Sequence, residues 1–289
     1  MKATDRSSLI ALPIIVVVGI LVALAGSQGG STVAGIPVFA LVVGIAFLIQ
    51  WLAFIPAFQN QTERFFDITG GLTYITVILV ALLFSVNLDA RSLLLAALVI
   101  VWAIRLGTFL FRRIHTSGKD GRFDEIKPSF IRFLNVWTIQ ALWVTLTAAA
   151  ALCAITTLNK RPFDLVAGIG LVIWIIGFAI EVVADAQKTQ FSANPANKGK
   201  FIQTGLWARS RHPNYFGEIA LWLGVLIIAL PVLQGWQLIG LLSPIFVTLL
   251  LTRVSGIPLL EARADKKWAG QADYEAYKKR TPVLLLRIG

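Results

Sequence analysis

The chain has 289 residues, 57% of them hydrophobic and only 14% charged, with a mean hydropathy of +0.77 and a net charge of +11. So apolar a chain cannot bury its hydrophobic residues in a core while keeping a wet surface, which excludes an ordinary soluble globular protein. The positive charge would suggest nucleic acid in a soluble domain. No DNA- or RNA-binding motif accompanies it, no such partner is expected, and basic loops flanking membrane spans account for it better.

Eight apolar segments are predicted to cross a bilayer, at about 9–27, 34–56, 70–88, 92–111, 135–157, 164–184, 214–233 and 237–256, each near the roughly 20 residues that a spanning helix needs. The expected fold class is an all-α polytopic transmembrane helical bundle forming one membrane domain, with seven to nine spans allowed. The first segment follows Lys2 and Arg6 like a signal peptide, but its length and the spans after it favour a retained helix. Gly29-Gly30 and Gly70-Gly71 punctuate joints between spans.

Between the second and third segments lies Gln59–Tyr74. Asp67 and Tyr74 are seven residues apart there and reach a cavity or, equally, serve as a helix cap and an aromatic anchor. The fourth segment carries Arg105 beside Trp102, and Arg105 is expected to be a buried partner for Asp67 or Glu63. Cys153, the single cysteine, excludes an intrachain disulfide, and only His115 and His212 offer imidazole, so no metal cofactor is expected.

The sixth segment ends in Glu181-Val182-Val183-Ala184-Asp185-Ala186-Gln187-Lys188, which places Glu181, Asp185 and Lys188 on one helix face. A carboxylate near a span's end must face the bundle interior or a watery cavity. Glu181 is either part of a ligand site or a structural ion pair with Lys188 or Arg211. Beyond it, Trp207, Arg209, Arg211, His212, Asn214, Tyr215 and Glu218 fall within twelve residues at the entrance to the seventh segment. Pro213 suits the first turn of that helix. The free N–H groups of a helix N-terminus, with Arg209 and Arg211, suit a phosphate. Asn214 and Glu218, one turn apart, suit a carboxamide. Interfacial Arg, Trp and Tyr snorkelling is the plain alternative for single residues.

The last span contains Pro244 and is followed by Gly256 and Pro258, so a bent or partly re-entrant segment is expected. Glu261, Asp265 and Trp268 then share a stripe on an amphipathic helix, with Tyr274 and Tyr277 nearby. With the N-terminus in the cytoplasm, the inside segments carry 22 Lys and Arg, against three outside (Arg91, Lys160 and Arg161). That imbalance predicts both termini in the cytoplasm. There is no G-x-G-x-x-G fingerprint in a βαβ setting, no P-loop and no Ser-His-Asp arrangement.

These residues together resemble a known superfamily. Asp185–Phe191, the run from Gly205-Leu206-Trp207 through Arg211-His212-Pro213-Asn214-Tyr215-Phe216-Gly217-Glu218, and Glu261-Ala262-Arg263 with Tyr274-Glu275-Ala276-Tyr277 are similar to the C-terminal half of the membrane steroid 5α-reductases and sterol C14/C24(28) reductases. The similarity is greatest to the bacterial branch labelled DUF1295. The resemblance implies NADPH-dependent reduction of an activated C=C bond in a lipid-like substrate. It makes 1–134 the substrate-enclosing helices, 135–289 the cofactor-binding half, and the bacterial inner membrane the location.

Carried over onto matching positions, Asp185, Lys188, Trp207, Arg211, His212, Asn214, Tyr215, Glu218, Glu261, Arg263, Asp265 and Tyr274 become cofactor-site candidates, beside Glu181. The chain departs from the steroid enzymes at the Gln-Glu pair and the Tyr that polarise the substrate ketone: the nearest positions read Phe54-Ile55 and Trp102. Tyr74, Asp67 and Glu63 are the substitute proton-donor candidates.

A second class also fits. Isoprenylcysteine carboxyl methyltransferases, which use S-adenosylmethionine, share a similar Arg-His-Pro-x-Tyr element, and Asp185–Phe191 with the many basic groups favours the reductase. A transporter or scaffold is the weakest reading, because no internal repeat is seen.

Overall fold

A computed structural model describes residues 3–117 and 120–287, with side chains omitted for residue 3 and for 115–117. Lys2 and Lys119, both counted among the inside basic residues, therefore lie outside the described residues, as does the His115 side chain. The chain is an all-α helical membrane bundle, and eight of its helical segments are long and apolar enough to cross a bilayer. They are α1 (Ala3–Gly26), α2 (Val38–Gln59), α3 (Phe66–Phe84), α4 (Ala90–Ser117), α5 (Phe130–Thr156), α6 (Leu165–Ala193), α7 (Pro213–Ala229) and a composite eighth. The eighth joins a 3₁₀ stretch (Gly235–Leu241), α8 (Leu242–Leu249), a π-helical turn (Leu250–Val254) and α9 (Ile257–Trp268). A short α10 (Ala272–Arg280) follows.

Two departures from the sequence expectation, and one expected interruption, have local causes. The second span starts at Val38 rather than near 34, because β1 (Thr32–Val33) and β2 (Ile36–Pro37) pair as a minimal hairpin. Its turn residues Ala34 and Gly35 both have positive φ, at 50° and 79°, as a primed two-residue turn demands. The sixth span continues past 184 to Ala193. Its 29 residues extend about 43 Å at 1.5 Å each, well beyond a hydrocarbon core of about 30 Å, so its polar last turns stand clear of the apolar zone. The last span is indeed interrupted. At Gly256, an added Cβ would lie 2.4 Å from the Leu251 carbonyl oxygen and 2.9 Å from the Tyr215 ring. Only glycine fits the break, and Pro258 then sits in the first turn of α9, where its missing N–H costs nothing.

The chain groups into two compact units, one made of Met1–Ala167 with Ile228–Ser243 and the other of Gly168–Ile227 with Pro244–Gly289. In the first, α5 is the central helix and packs against α1, α2, α3 and α4. Its fully buried run Ala148–Ala151 lets neighbours approach closely. Toward its start an aromatic cluster takes over: Phe54, Phe123, Phe133 and Trp137 are buried, and Phe66 meets Trp137 edge-on at 5.0 Å. Mid-span, Gln50 Nε2 donates to Thr73 Oγ1 at 2.8 Å, while the Thr73 hydroxyl donates to the Thr69 carbonyl at 2.7 Å. Arg91, read from sequence as a loop residue, is buried. It donates to the carbonyls of Ile228 (2.5 Å) and Pro162 (2.9 Å) and pairs with Asp164 at 3.2 Å.

The second unit is held differently. On α6, Gly170 and Gly177 are seven apart, and on α7 so are Gly217 and Gly224. A Cβ on Gly177 would lie 2.6 Å from the Gly217 carbonyl oxygen, one on Gly217 would lie 2.5 Å from that of Gly177, and one on Gly224 2.6 Å from that of Gly170. The two helices thus touch backbone to backbone, as small residues permit in lipid, where apolar side chains gain little by leaving the tails.

Candidate functional site

The site lies in the second unit, and its walls come from the end of α6, the 199–212 loop, α9 and α10. Gln187 on α6 accepts the Leu206 N–H at 2.9 Å. Gly205 has φ +61°, which favours glycine, and the Gln187 amide packs over the space a Cβ would take. The turn buries Trp207, whose indole N–H donates to the Ala184 carbonyl at 3.0 Å. The Tyr277 hydroxyl in turn donates to the Trp207 carbonyl at 2.7 Å. The C-terminal segment runs beside the loop: the N–H of Arg211 donates to the Pro282 carbonyl (2.9 Å) and the Ser210 hydroxyl to that of Leu284 (2.9 Å). Arg211 and His212 are thereby fixed just before Pro213 opens α7.

Between these walls is a cavity of about 310 Å³. On one side, Glu261 of α9 reaches both loop residues, with Arg211 Nη1 to Oε2 at 2.6 Å and His212 Nε2 to Oε1 at 2.8 Å. On the other, Phe201 meets Tyr274 at 5.3 Å, Tyr277 at 5.4 Å and Trp268 at 5.7 Å, making an aromatic box. Lys188, Lys200, Arg263 and Lys267 complete a basic rim, and the Lys188 ammonium lies 4.7 Å over the Trp207 ring.

The electrostatics follow from burial. Desolvation pulls the His212 pKa below the ordinary 6.5, and the hydrogen bond and charge of Glu261 only partly oppose it. The imidazole is therefore neutral at pH 7, with its proton on Nε2 toward the carboxylate and a bare lone pair on Nδ1. That Nδ1 and the Arg211 Nε–H are buried without a hydrogen-bond partner among the described residues, and Arg211 Nη1 meets Glu261 as an ion pair whose geometry is not that of a hydrogen bond. A buried acceptor and a buried donor left unpaired are costly unless something polar meets them. Burial pushes the Tyr277 hydroxyl up to about 12, so it remains protonated as a donor. Tyr274 is raised as well, by burial and by its hydrogen bond to Asp265.

Of the residues singled out from sequence, Lys188, Trp207, Arg211, His212, Glu261, Arg263 and Tyr274 line this cavity together. Asp265 supports it from behind, accepting from the Tyr274 hydroxyl at 2.8 Å and from Lys278 at 2.6 Å, which ties α9 to α10. Tyr215 stacks on His212 with ring centroids 5.7 Å apart. Glu181 and Asp185 are buried on α6, and Asn214 and Glu218 are half-buried on α7; none of these four is in the cavity wall. Arg211 pairs with Glu261, and the Lys188 ammonium lies over the Trp207 ring. Sequence reasoning missed Phe201 and Lys200. Their only signal was an aromatic residue beside Gly199-Lys200, in a loop with no periodicity to read.

The donor candidates lie in the first unit. Glu63 is buried, with Lys127 at 2.5 Å and the Asp120 N–H at 2.8 Å. Burial alone would raise its pKa, but these hydrogen bonds and the ammonium charge outweigh it and hold the carboxyl below its usual range. The partner expected for Glu63 or Asp67 was Arg105. The structure instead gives Lys127 to Glu63, and gives Arg113 to Asp67 at 3.8 Å, while Arg105 sits 5.4 Å over the Phe109 ring. Arg105 lies about two turns before Arg113 on α4, whereas Lys127 follows a loop that folds back. Tyr74 is buried, edge-on to Trp102 at 5.1 Å. No group of three or more His, Cys, Asp or Glu able to hold a metal ion is found among the described residues.

Fold and site together define an integral membrane protein of helical-bundle type, with a pocket of about 310 Å³, basic at its rim and aromatic on one side, in one of its two units. The chain belongs to the DUF1295 family, described as a protein of unknown function, whose profile matches residues 53–281. It is similar to the Uncharacterized protein C594.04c of Schizosaccharomyces pombe, with 26% identity covering 54% of this chain and 55% of that protein. The chain thus matches about half the length of that relative. The relative is a fission yeast protein, so the expected bacterial membrane gains no support from it, and the location stands as an integral membrane protein. No solved structure matches the chain.

Proposed function

We propose that this protein is a membrane-embedded NADPH-dependent reductase of an activated C=C bond in a steroid-like or other lipid substrate. The observation that carries the proposal is the cavity beside Arg211 and His212. It joins a basic rim to an aromatic box and leaves a buried donor and a buried acceptor unmet. A nucleotide supplies what each part lacks: a phosphate for Arg211 and the rim, hydroxyls for His212 Nδ1 and the Tyr277 hydroxyl, and a flat base for Phe201, Trp268 and Tyr274. The donor set therefore fits the cofactor.

When bound, NADPH supplies a hydride for the β-carbon of a conjugated C=C–C=O. The protein's own part is to orient the ring systems, exclude water and hold a proton near the substrate oxygen. Lys188, Arg211 and Arg263 hold phosphate, and Asn214 with Glu218, at the start of α7 and outside the cavity wall, are the carboxamide candidates carried from the sequence. Within the first unit, Tyr74 and Asp67 are the proton-donor candidates. Glu63 is the poorest of the three, because a carboxylate held ionised by Lys127 accepts protons rather than lending them. The apolar helices of the first unit are assigned to the lipid substrate. The excess of Lys and Arg in alternate loops supports a cytoplasmic face for both termini and for the pocket, where soluble nucleotide is found. The resemblance to steroid 5α-reductases and sterol reductases supports the same reaction class.

Purified protein should be stabilised against heat by NADPH and not by S-adenosylmethionine, and Arg211→Ala should weaken NADPH binding about 30-fold or more, as expected for losing a buried charged contact. Stabilisation by S-adenosylmethionine with no response to NADPH would transfer the protein to the methyltransferase class.

A further inference from the structure

We propose that Glu261 is an internal occupant of the pocket's anion position, and that it sets the pocket's selectivity by admitting only ligands charged enough to displace it. The proposal rests on the nucleotide reading above and concerns how that ligand gains entry. Arg211 is the most enclosed cation of the pocket, its side chain 12% exposed, whereas Lys188, Arg263 and Lys267 are exposed. It is the natural seat for a phosphate, yet a carboxylate already occupies it: Glu261 lies 2.6 Å from Arg211 and 2.8 Å from His212.

The fit of that carboxylate is incomplete. It leaves the Arg211 Nε–H and the His212 Nδ1 lone pair buried and unmet. Two carboxylate oxygens, spent on two different residues, cannot also take the guanidinium fork. A phosphate carries three free oxygens and up to twice the charge, so it can engage that fork more fully. A ligand with a single carboxylate gains nothing by the exchange, and a neutral one loses. The free cavity of about 310 Å³ is at the small end of ligand pockets, which run to about 1,000 Å³, as expected if part of the site is held by the protein itself.

The wall that carries Glu261 is built to yield. Helix α9 does not continue α8 but follows the π-helical turn Leu250–Val254 and the break at Ser255-Gly256, and π-turns of this kind are frequent at functional sites. Asp265, bonded to both Tyr274 and Lys278, makes α9 and α10 move together.

The test uses the full-length protein in detergent, with NADPH, inorganic pyrophosphate and adenosine as probes. If the site is open in about a tenth of molecules, Glu261→Gln should tighten NADPH binding about tenfold, because apparent affinity scales with the competent fraction. Adenosine, which lacks phosphate, should not respond. In Glu261→Ala, added acetate should refill the vacated position and reverse the tightening, while leaving wild-type affinity unchanged. In the wild type, pyrophosphate should raise the melting temperature and acetate at equal concentration should not, a comparison that needs no variant. NADPH affinity unchanged or weakened in Glu261→Gln, with wild type still binding, would overturn the displacement idea and leave the nucleotide reading standing. Wild type that binds neither NADPH nor pyrophosphate would overturn both.

Discussion

Glu63 in the first unit and Glu261 in the second share a chemistry. Each is a carboxylate with two partners: Lys127 and the Asp120 N–H for one, Arg211 and His212 for the other. Their surroundings separate them. Glu63 is 4% exposed and all its contacts serve to pin the 120–127 loop to the turn before α3. Glu261 borders a cavity, and the Arg211 and His212 it pairs with keep buried polar atoms without a hydrogen bond. An ion pair is therefore no guide to function by itself; the space beside it, and the groups that remain unsatisfied there, are.

Three substitutions or conditions break or sharpen that contrast. The largest effect is expected from Gly217→Val. Its Cβ would meet the Gly177 carbonyl oxygen and the Glu181 backbone, neither of which can move aside as a side-chain tip can. Helices α6 and α7 must then separate, so both thermal stability and NADPH binding should be lost, whereas Gly44→Val, where an added Cβ has open space, should leave both intact. Next, Lys127→Met leaves Glu63 buried without its cation. Such a loss costs about 3 kcal/mol and should lower the melting temperature while NADPH affinity stays within twofold or so of wild type. A matching loss of affinity would mean that the Glu63 knot belongs to the binding site after all.

The smallest effect concerns pH. The folded-state pKa of His212 is depressed, so the unfolded chain binds the proton more readily. Stability from this residue is complete above the ordinary 6.5 and declines as pH falls from there through the lower folded value. Melting temperature should therefore drop more steeply below about pH 6.5 in wild type than in His212→Gln. Parallel curves would show that His212 does not titrate in this window.

Much of this was legible from residues in order along the chain. Continuous apolar runs must become spans, because water in the lipid core is absent and backbone groups have to be bonded within the segment, so all eight spans were predictable from composition. Arg211 and His212 stood out because so many polar groups crowd one helix entrance. What escaped was whatever depends on loops folding back. Lys127 as the partner of Glu63, Phe201 as a wall of the aromatic box, and Arg91 as a buried tie rather than a loop charge all join residues without periodic relation.

The sequence alone determined the solvent of this protein, the number of its spans and the identity of its most polar segment, since hydropathy and charge are properties of residues taken one at a time. Only the tertiary structure decided which charges face a void and which are sealed against each other. That outcome depends on how the 199–212 loop, α9 and α10 close on one another, and burial, not residue type, sets whether a carboxylate is a pin or an occupant of a binding site.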